Sequence, residues 1–111
     1  MEKDQKVDVY LVCNAKYHDT NFARLELLKL LGENEDINTR VADTFSDVEA
    51  IASSTLLITY TCDLRPTLEE QEGLAKFIAN GGRWFALHAT SALLEFSEDG
   101  LIVYASIAYY T

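Results

Sequence analysis

The sequence contains few proline, cysteine, histidine and basic residues. It has one Pro, two Cys, two His and nine Lys and Arg residues against 18 Asp and Glu residues. The resulting net charge of −9 argues against binding to nucleic acid, because phosphate binding needs clustered basic side chains. Cys13 and Cys62 form neither a disulfide framework nor a metal-binding spacing. We interpret both as small hydrophobic residues at strand ends.

Long apolar runs and a leader sequence are also missing. No apolar run approaches the ~20 residues needed to span a bilayer. The charged N-terminus, residues 1–6, does not have the pattern of a signal peptide. We therefore expect a cytoplasmic protein that does not associate with membranes, with its 111 residues forming one domain over 1–111.

The sequence does contain a regular alternation of strand-like and helix-like segments. The strand-like segments are residues 7–13, 37–42, 55–60 and 83–88, and the helix-like segments between them are residues 21–32, 45–53 and 67–79. This alternation predicts an α/β fold with a parallel sheet and helices on both faces. Right-handed crossovers favour a doubly wound arrangement, and we predict the flavodoxin-like strand order 2-1-3-4.

Apolar periodicity predicts which side chains fill the core. In the first helix the apolar positions are Phe22, Leu25, Leu27, Leu28, Leu30 and Leu31. This spacing indicates a broad buried face, and we expect Asn21 to cap the helix. Thr67 and Glu70 form a capping box before the third helix. Trp84 and Phe85, in the last strand, are expected in the core.

The C-terminal residues 97–111 do not continue the alternation. After a charged turn at residues 95–100, residues 101–111 are apolar and β-prone. They could form a fifth strand. They could equally be the exposed edge of an incomplete domain, through which the protein would form a homo-oligomer.

Residues 58–92 read ITYTCDLRPTLEEQEGLAKFIANGGRWFALHATSA. The pattern is an apolar strand, a loop with Asp and Arg, a helix, a Gly-Gly turn and a strand that ends in Leu-His-Ala. Together with the loop that holds His18 and Asp19, it resembles the ThuA-like family, named for trehalose utilisation. The resemblance covers about residues 7–94.

Membership of this family implies a class I glutamine amidotransferase-like fold and a role in the utilisation of trehalose and related carbohydrates. Family domains are typically about twice as long, so the chain resembles the N-terminal part of one. In the amidotransferase relatives a nucleophilic Cys follows a strand between glycines. His88 stands at that position here and the glycines are absent, so Cys-dependent glutamine hydrolysis is not expected.

Polar residues after the strands are the candidate site residues, because ligands of open α/β sheets bind at that edge. His88 and His18 could act as general bases or ligand contacts, or their rings could hold the adjacent turns. The two histidines with Asp63 could in principle bind Zn²⁺, but neither spacing is a recognised metal motif, and we expect no metal and no cofactor.

The candidate binding residues also have two interpretations each. Asp19 could bind a sugar or help to start the first helix. Asp63 and Arg65 could grip sugar hydroxyls or form a local ion pair. Thr90 and Ser91 could offer backbone N–H groups to an anion or cap a helix.

Two classes of function follow from these interpretations. The first is a carbohydrate-binding protein and, if it is an enzyme, a His-assisted carbohydrate-active one. The second is a non-catalytic binding or assembly module, or an inactive fragment, on the same fold.

Overall fold

The computed structural model describes residues 6–15 and 19–87. These residues form four strands and three helices in strict alternation. The strands are β1 (Val7–Ala15), β2 (Ile37–Ala42), β3 (Leu56–Cys62) and β4 (Arg83–Leu87), and the helices are α1 (Thr20–Gly32), α2 (Val48–Ala52) and α3 (Leu68–Ala79). His18, His88, Thr90, Ser91 and the tail 97–111 lie outside the described residues.

The four strands form one sheet in the order β2-β1-β3-β4, and all neighbouring strands are parallel. The predicted strand order and doubly wound architecture are therefore confirmed. Ala15, the last residue of β1, aligns with Cys62, the last residue of β3. Tyr60 of β3 aligns with Leu87, the last residue of β4. The carboxyl ends of these three strands thus lie along one edge of the sheet.

Two hydrophobic clusters hold the helices to opposite faces of the sheet. The larger cluster lies on the face covered by α2 and α3, and its buried members are Tyr10, Val12, Phe45, Ala50, Ile51, Leu57, Leu74, Phe77 and Trp84. The smaller cluster lies under α1, and its buried members are Val9, Leu11, Cys13, Leu31 and Ile58. Strand β1 supplies both clusters, because successive side chains of a strand point to opposite faces. This double burial explains its nearly continuous apolar sequence.

The helix starts are fixed by side-chain caps. Asp19, and not Asn21, caps α1, because its carboxylate oxygen accepts the N–H of Phe22 at 3.0 Å. Asp47 caps α2 in the same way. The predicted capping box of Thr67 and Glu70 at the start of α3 is confirmed. Each cap satisfies backbone N–H groups that the first turn of a helix leaves unpaired.

The prediction of a broad buried face on α1 is wrong. Phe22, Leu25 and Leu30 are 63%, 52% and 62% exposed, and Leu31 is the one fully buried side chain of this helix. The reason is that α1 packs mainly over β1 and β2 and has no second helix beside it among the described residues. Phe85 is 56% exposed for the same reason, although Trp84 next to it is buried on the opposite face.

The lengths of the helices bear on membrane association. Across residues 6–15 and 19–87, none of them combines the length and the apolar character that a bilayer crossing requires.

Candidate functional site

The topological switch point of the sheet lies between β1 and β3. From β1 the chain enters α1 on one face, and from β3 it proceeds to α3 on the opposite face. The two connections therefore diverge at the carboxyl edge of the sheet, and open α/β sheets bind ligands at such a point. In the register of the sheet, Asn14 aligns with Thr61 and Ala15 with Cys62. Asp19, at the start of the first helix, and residues 63–67, after β3, mark the two sides of the candidate site.

On the β1 side, hydrogen bonds join the end of β1 to the first residue of α1. The hydroxyl of Thr20 accepts the N–H of Ala15 at 3.0 Å and approaches its carbonyl oxygen at 3.3 Å. Asn14 donates to the carbonyl oxygen of Asp43, beyond the end of β2, at 3.0 Å. Asp19 is exposed and uses one carboxylate oxygen to cap α1. The capping interpretation of Asp19 is thus observed, and its contact with a sugar stays a prediction.

On the β3 side, Asp63 and Arg65 form an ion pair directly after the strand. The Nε–H group of Arg65 donates to Oδ1 of Asp63 at 3.1 Å, and the two side chains are 45% and 26% exposed. Asp63 has a φ of 58°, which makes it the one non-glycine residue in the left-handed region among the described residues. Asp tolerates this conformation better than most residues. The turn therefore brings a carboxylate and a guanidinium group together at the carboxyl edge of the sheet.

Sequence reasoning missed Thr61, which lies beneath this turn. Its hydroxyl is buried and has no hydrogen-bond partner among residues 6–15 and 19–87. A buried hydroxyl without a partner costs about 1–3 kcal/mol relative to a satisfied one. The signal in the sequence was the alternation of Thr59 and Thr61 in an otherwise apolar strand, which places both hydroxyls on the same buried face.

The two cysteines differ in burial. Cys13 is fully buried, and this burial raises the pKa of its thiol, an effect that the guanidinium group of Arg24 opposes in part. Cys62 is half-buried at the end of β3. A raised pKa suppresses the thiolate form that nucleophilic attack needs, so Cys13 is unsuited to catalysis.

The described residues contain no group of three or more His, Cys, Asp or Glu side chains that could hold a metal ion. The hypothetical Zn²⁺ site needs His18 and His88, which lie outside the described residues. The predicted roles of these histidines and of Thr90 and Ser91 therefore stay predictions. Of the predicted site residues, the structure describes Asp19, Asp63 and Arg65, and it places them on loops that leave adjacent strands.

Comparison with known proteins identifies no relative of this chain. No family model matches the sequence, and no match was found among the curated proteins or among the solved structures. The resemblance of residues 58–92 to the ThuA-like family accordingly stays a prediction, and the evidence for function is the geometry of the sheet edge.

Proposed function

We propose that the protein binds a sugar-like small molecule at the carboxyl edge of its sheet, in keeping with its resemblance to the ThuA-like family. The observation that carries this proposal is the ion pair of Asp63 and Arg65 at the switch point between β1 and β3. A carboxylate accepts hydrogen bonds from hydroxyl groups and a guanidinium donates them, and charge makes both kinds of bond stronger. A polyhydroxylated ligand can use both groups together.

The dimensions of the edge also suit a ligand of this size. Neighbouring strands of a sheet are about 4.8 Å apart, so the ends of β1 and β4, on either side of β3, are separated by roughly 10 Å. This is about the span of one or two sugar rings. Asp19 would face the ligand from the β1 side, and Thr90 and Ser91 would do so beyond β4.

His88 and His18 are the proposed catalytic groups, as general bases whose pKa range suits proton transfer near neutrality. If the protein is an enzyme, it is a His-assisted carbohydrate-active one, and not a Cys-dependent amidotransferase. The proposal includes a cytoplasmic location and needs no cofactor.

The test is isothermal titration calorimetry, in which the full chain is titrated with trehalose, other glycosides and keto-sugars. Asp63→Asn and Arg65→Gln should each weaken the binding of a sugar at least tenfold, because each removes a charged hydrogen-bonding group. His88→Ala should abolish any turnover of that sugar.

Asp36→Asn is the matched control. It makes the same chemical change at an exposed position before β2, at the opposite end of the sheet, and should leave binding unchanged. Equal binding by Asp63→Asn and the unmodified protein, or no binding of any of these sugars, would contradict the proposal.

A second candidate is a non-catalytic assembly module that forms homo-oligomers through the outer edge of β4. The exposed ring of Phe85 favours it, because an apolar strand at a sheet edge is a template for pairing with another chain. Light scattering over a hundredfold range of concentration decides this question, since a constant monomer mass rules out assembly.

A further inference from the structure

Among the described residues, α1 is the one helix on its face of the sheet, and it leaves Phe85 of β4 more than half exposed although Ile58 of β3 is buried. Over β3 and β4, beside α1, lies an apolar surface that we call the β3–β4 half-face. It includes a groove of about 430 Å³ lined by Phe22, Ala23, Glu26, Leu27, Tyr60 and Leu87. Phe85 lies on the same side of β4 as Leu87, because it is two residues away along the strand. Phe22 and Phe85, on α1 and β4, are more than half exposed.

The dimensions of the sheet show how much is missing. Four strands at about 4.8 Å span roughly 19 Å, and a helix with its side chains is about 10 Å across. The opposite face carries two helices, α2 and α3, which contact each other. The α1 face carries one helix among the described residues, so the β3–β4 half-face has room for one more packed segment.

We propose that residues 101–111 of the same chain pack on the β3–β4 half-face. They read LIVYASIAYYT, with nine apolar residues of 11 and no charged side chain. Such a segment gains from leaving water, and the gain is proportional to the apolar area that it buries. The lining of the groove is apolar apart from Glu26, so the two surfaces are chemically complementary.

The connection between the two surfaces makes this chain the favoured source of the segment. Leu87 is the last residue of β4 and itself lines the groove. Residues 88–100 then connect it to the segment, and thirteen residues reach up to roughly 43 Å when extended. A segment tethered in this way has an effective concentration in the millimolar range, which a second copy does not reach at ordinary protein concentrations.

The test uses hydrogen–deuterium exchange of the full chain, measured by mass spectrometry. We expect residues 101–111 to be protected in the unmodified protein. Ile107→Asp should raise the exchange rate of β4 at least tenfold, because it puts a charge into the apolar contact. Phe85→Ser should in turn remove the protection of residues 101–111.

Two control variants distinguish loss of this contact from the effect of an added charge or of a lost apolar side chain elsewhere in the protein. Ser97→Asp adds the same charge outside the apolar segment, and should leave β4 protected. Val41→Ser removes a partly exposed apolar side chain from β2, at the other edge of the sheet, and should leave residues 101–111 protected. Near-ultraviolet circular dichroism of Trp84 shows whether each variant is folded. If Phe85→Ser does not fold, Ile107→Asp decides alone.

Two results would overturn the proposal. One is exchange of residues 101–111 at the rate of an unprotected peptide in the unmodified protein. The other is a doubled mass in light scattering at high protein concentration, combined with protection of residues 101–111 that falls on dilution. This result would identify a second copy of the chain as the occupant. Neither result depends on sugar binding, so failure of this proposal is distinguishable from failure of the proposed function.

Discussion

The indole N–H group of Trp84 on β4 donates a hydrogen bond of 2.9 Å to the hydroxyl of Thr59 on the neighbouring strand β3. Both side chains are buried on the face covered by α2 and α3. Two residues further along β3 and on the same face, the hydroxyl of Thr61 is buried without a hydrogen-bond partner in the described part of the chain. The same residue type therefore has opposite energetic consequences at two positions of one strand.

Substitution of these two threonines should have opposite effects on stability. Thr59→Val removes the acceptor and leaves the indole N–H of Trp84 buried and unpaired, which should lower the free energy of unfolding by about 1–3 kcal/mol. Thr61→Val replaces an unsatisfied hydroxyl by a methyl group of similar shape, and should be neutral or stabilise by about 1 kcal/mol. Urea unfolding followed by circular dichroism measures both. Equal destabilisation by the two variants would show that the hydroxyl of Thr61 does form a hydrogen bond.

The close approach of α2 and α3 predicts that Gly73 does not tolerate a side chain. A Cβ atom at Gly73 would lie 2.8 Å from Cγ1 and 2.9 Å from Cβ of Val48. Gly73→Ala should therefore lower the free energy of unfolding by about 1–3 kcal/mol through overpacking, even though Ala favours helix. At Gly32 a Cβ would meet no atom within 4 Å, so Gly32→Ala should stabilise by up to about 1 kcal/mol.

Val48→Ala in the Gly73→Ala background provides the check on mechanism for this prediction. The smaller side chain makes room for the new methyl group, so thermal unfolding of the double variant should show part of the lost stability restored. Additive losses in the double variant would instead place the cost of Gly73→Ala somewhere other than the contact with Val48.

Because the backbone of Asp63 is left-handed, two substitutions at this position should differ in their effect on stability and agree in their effect on sugar binding. Asp63→Gly suits a φ of 58° and should leave the free energy of unfolding within about 0.5 kcal/mol of the unmodified protein. Asp63→Ala should lower it by about 1 kcal/mol, since a residue with a Cβ is strained there. Both variants lack the carboxylate, so both should bind sugar weakly in calorimetry. Retained binding in the glycine variant would remove Asp63 from the site.

Two buried groups predict a loss of stability at alkaline pH. Burial raises the pKa of the Cys13 thiol above 9.0, against a smaller opposing effect of Arg24. Burial, with help from Asp47 and Asp43 and against Arg40, raises the pKa of Tyr10 above 10.0. Since the unfolded chain loses these protons at lower pH than the folded chain, ionisation favours unfolding.

The contribution of these groups should therefore be complete below about pH 9 and decline as the pH rises through the folded pKa of Cys13 and then of Tyr10. Urea midpoints measured between pH 8 and pH 11 test this expectation. Cys13→Ala should be less stable at pH 8 because it leaves a cavity, yet it should lose less stability between pH 9 and pH 10. Parallel pH profiles for the two proteins would contradict the assignment to Cys13.

The sequence was sufficient to predict the elements, the parallel sheet and its strand order, because apolar alternation and crossover handedness limit the choices. It was insufficient where a neighbouring element decides the outcome. The apolar stripe of α1 indicated a buried face, but periodicity does not say whether a partner covers it, and Phe22 is exposed. Strand β1 extends two residues beyond the predicted end because Asn14 and Ala15 pair with β3.

The candidate site was predictable in position but only partly in detail. Its place followed from the strand order, and the ion pair of Asp63 with Arg65 was one of the two interpretations of these residues. The left-handed backbone of Asp63 had no signal, because Asp is common in ordinary turns as well. The choice of Asp19 over Asn21 as the cap of α1 was open, since both residue types cap helices equally well.

The central place of β1 in the sheet has a consequence for the way the protein is made. Both neighbours of this strand come later in the chain, with Val7 aligned to Ile37 and Val9 to Leu56. On the ribosome, the strand that supplies both hydrophobic clusters thus emerges before either of its partners has been translated. Non-local pairing of this kind slows folding, and until it is complete the unpaired backbone and apolar side chains of the strand are exposed and prone to aggregate. Yield in the cell should consequently depend on chaperones that shield nascent chains.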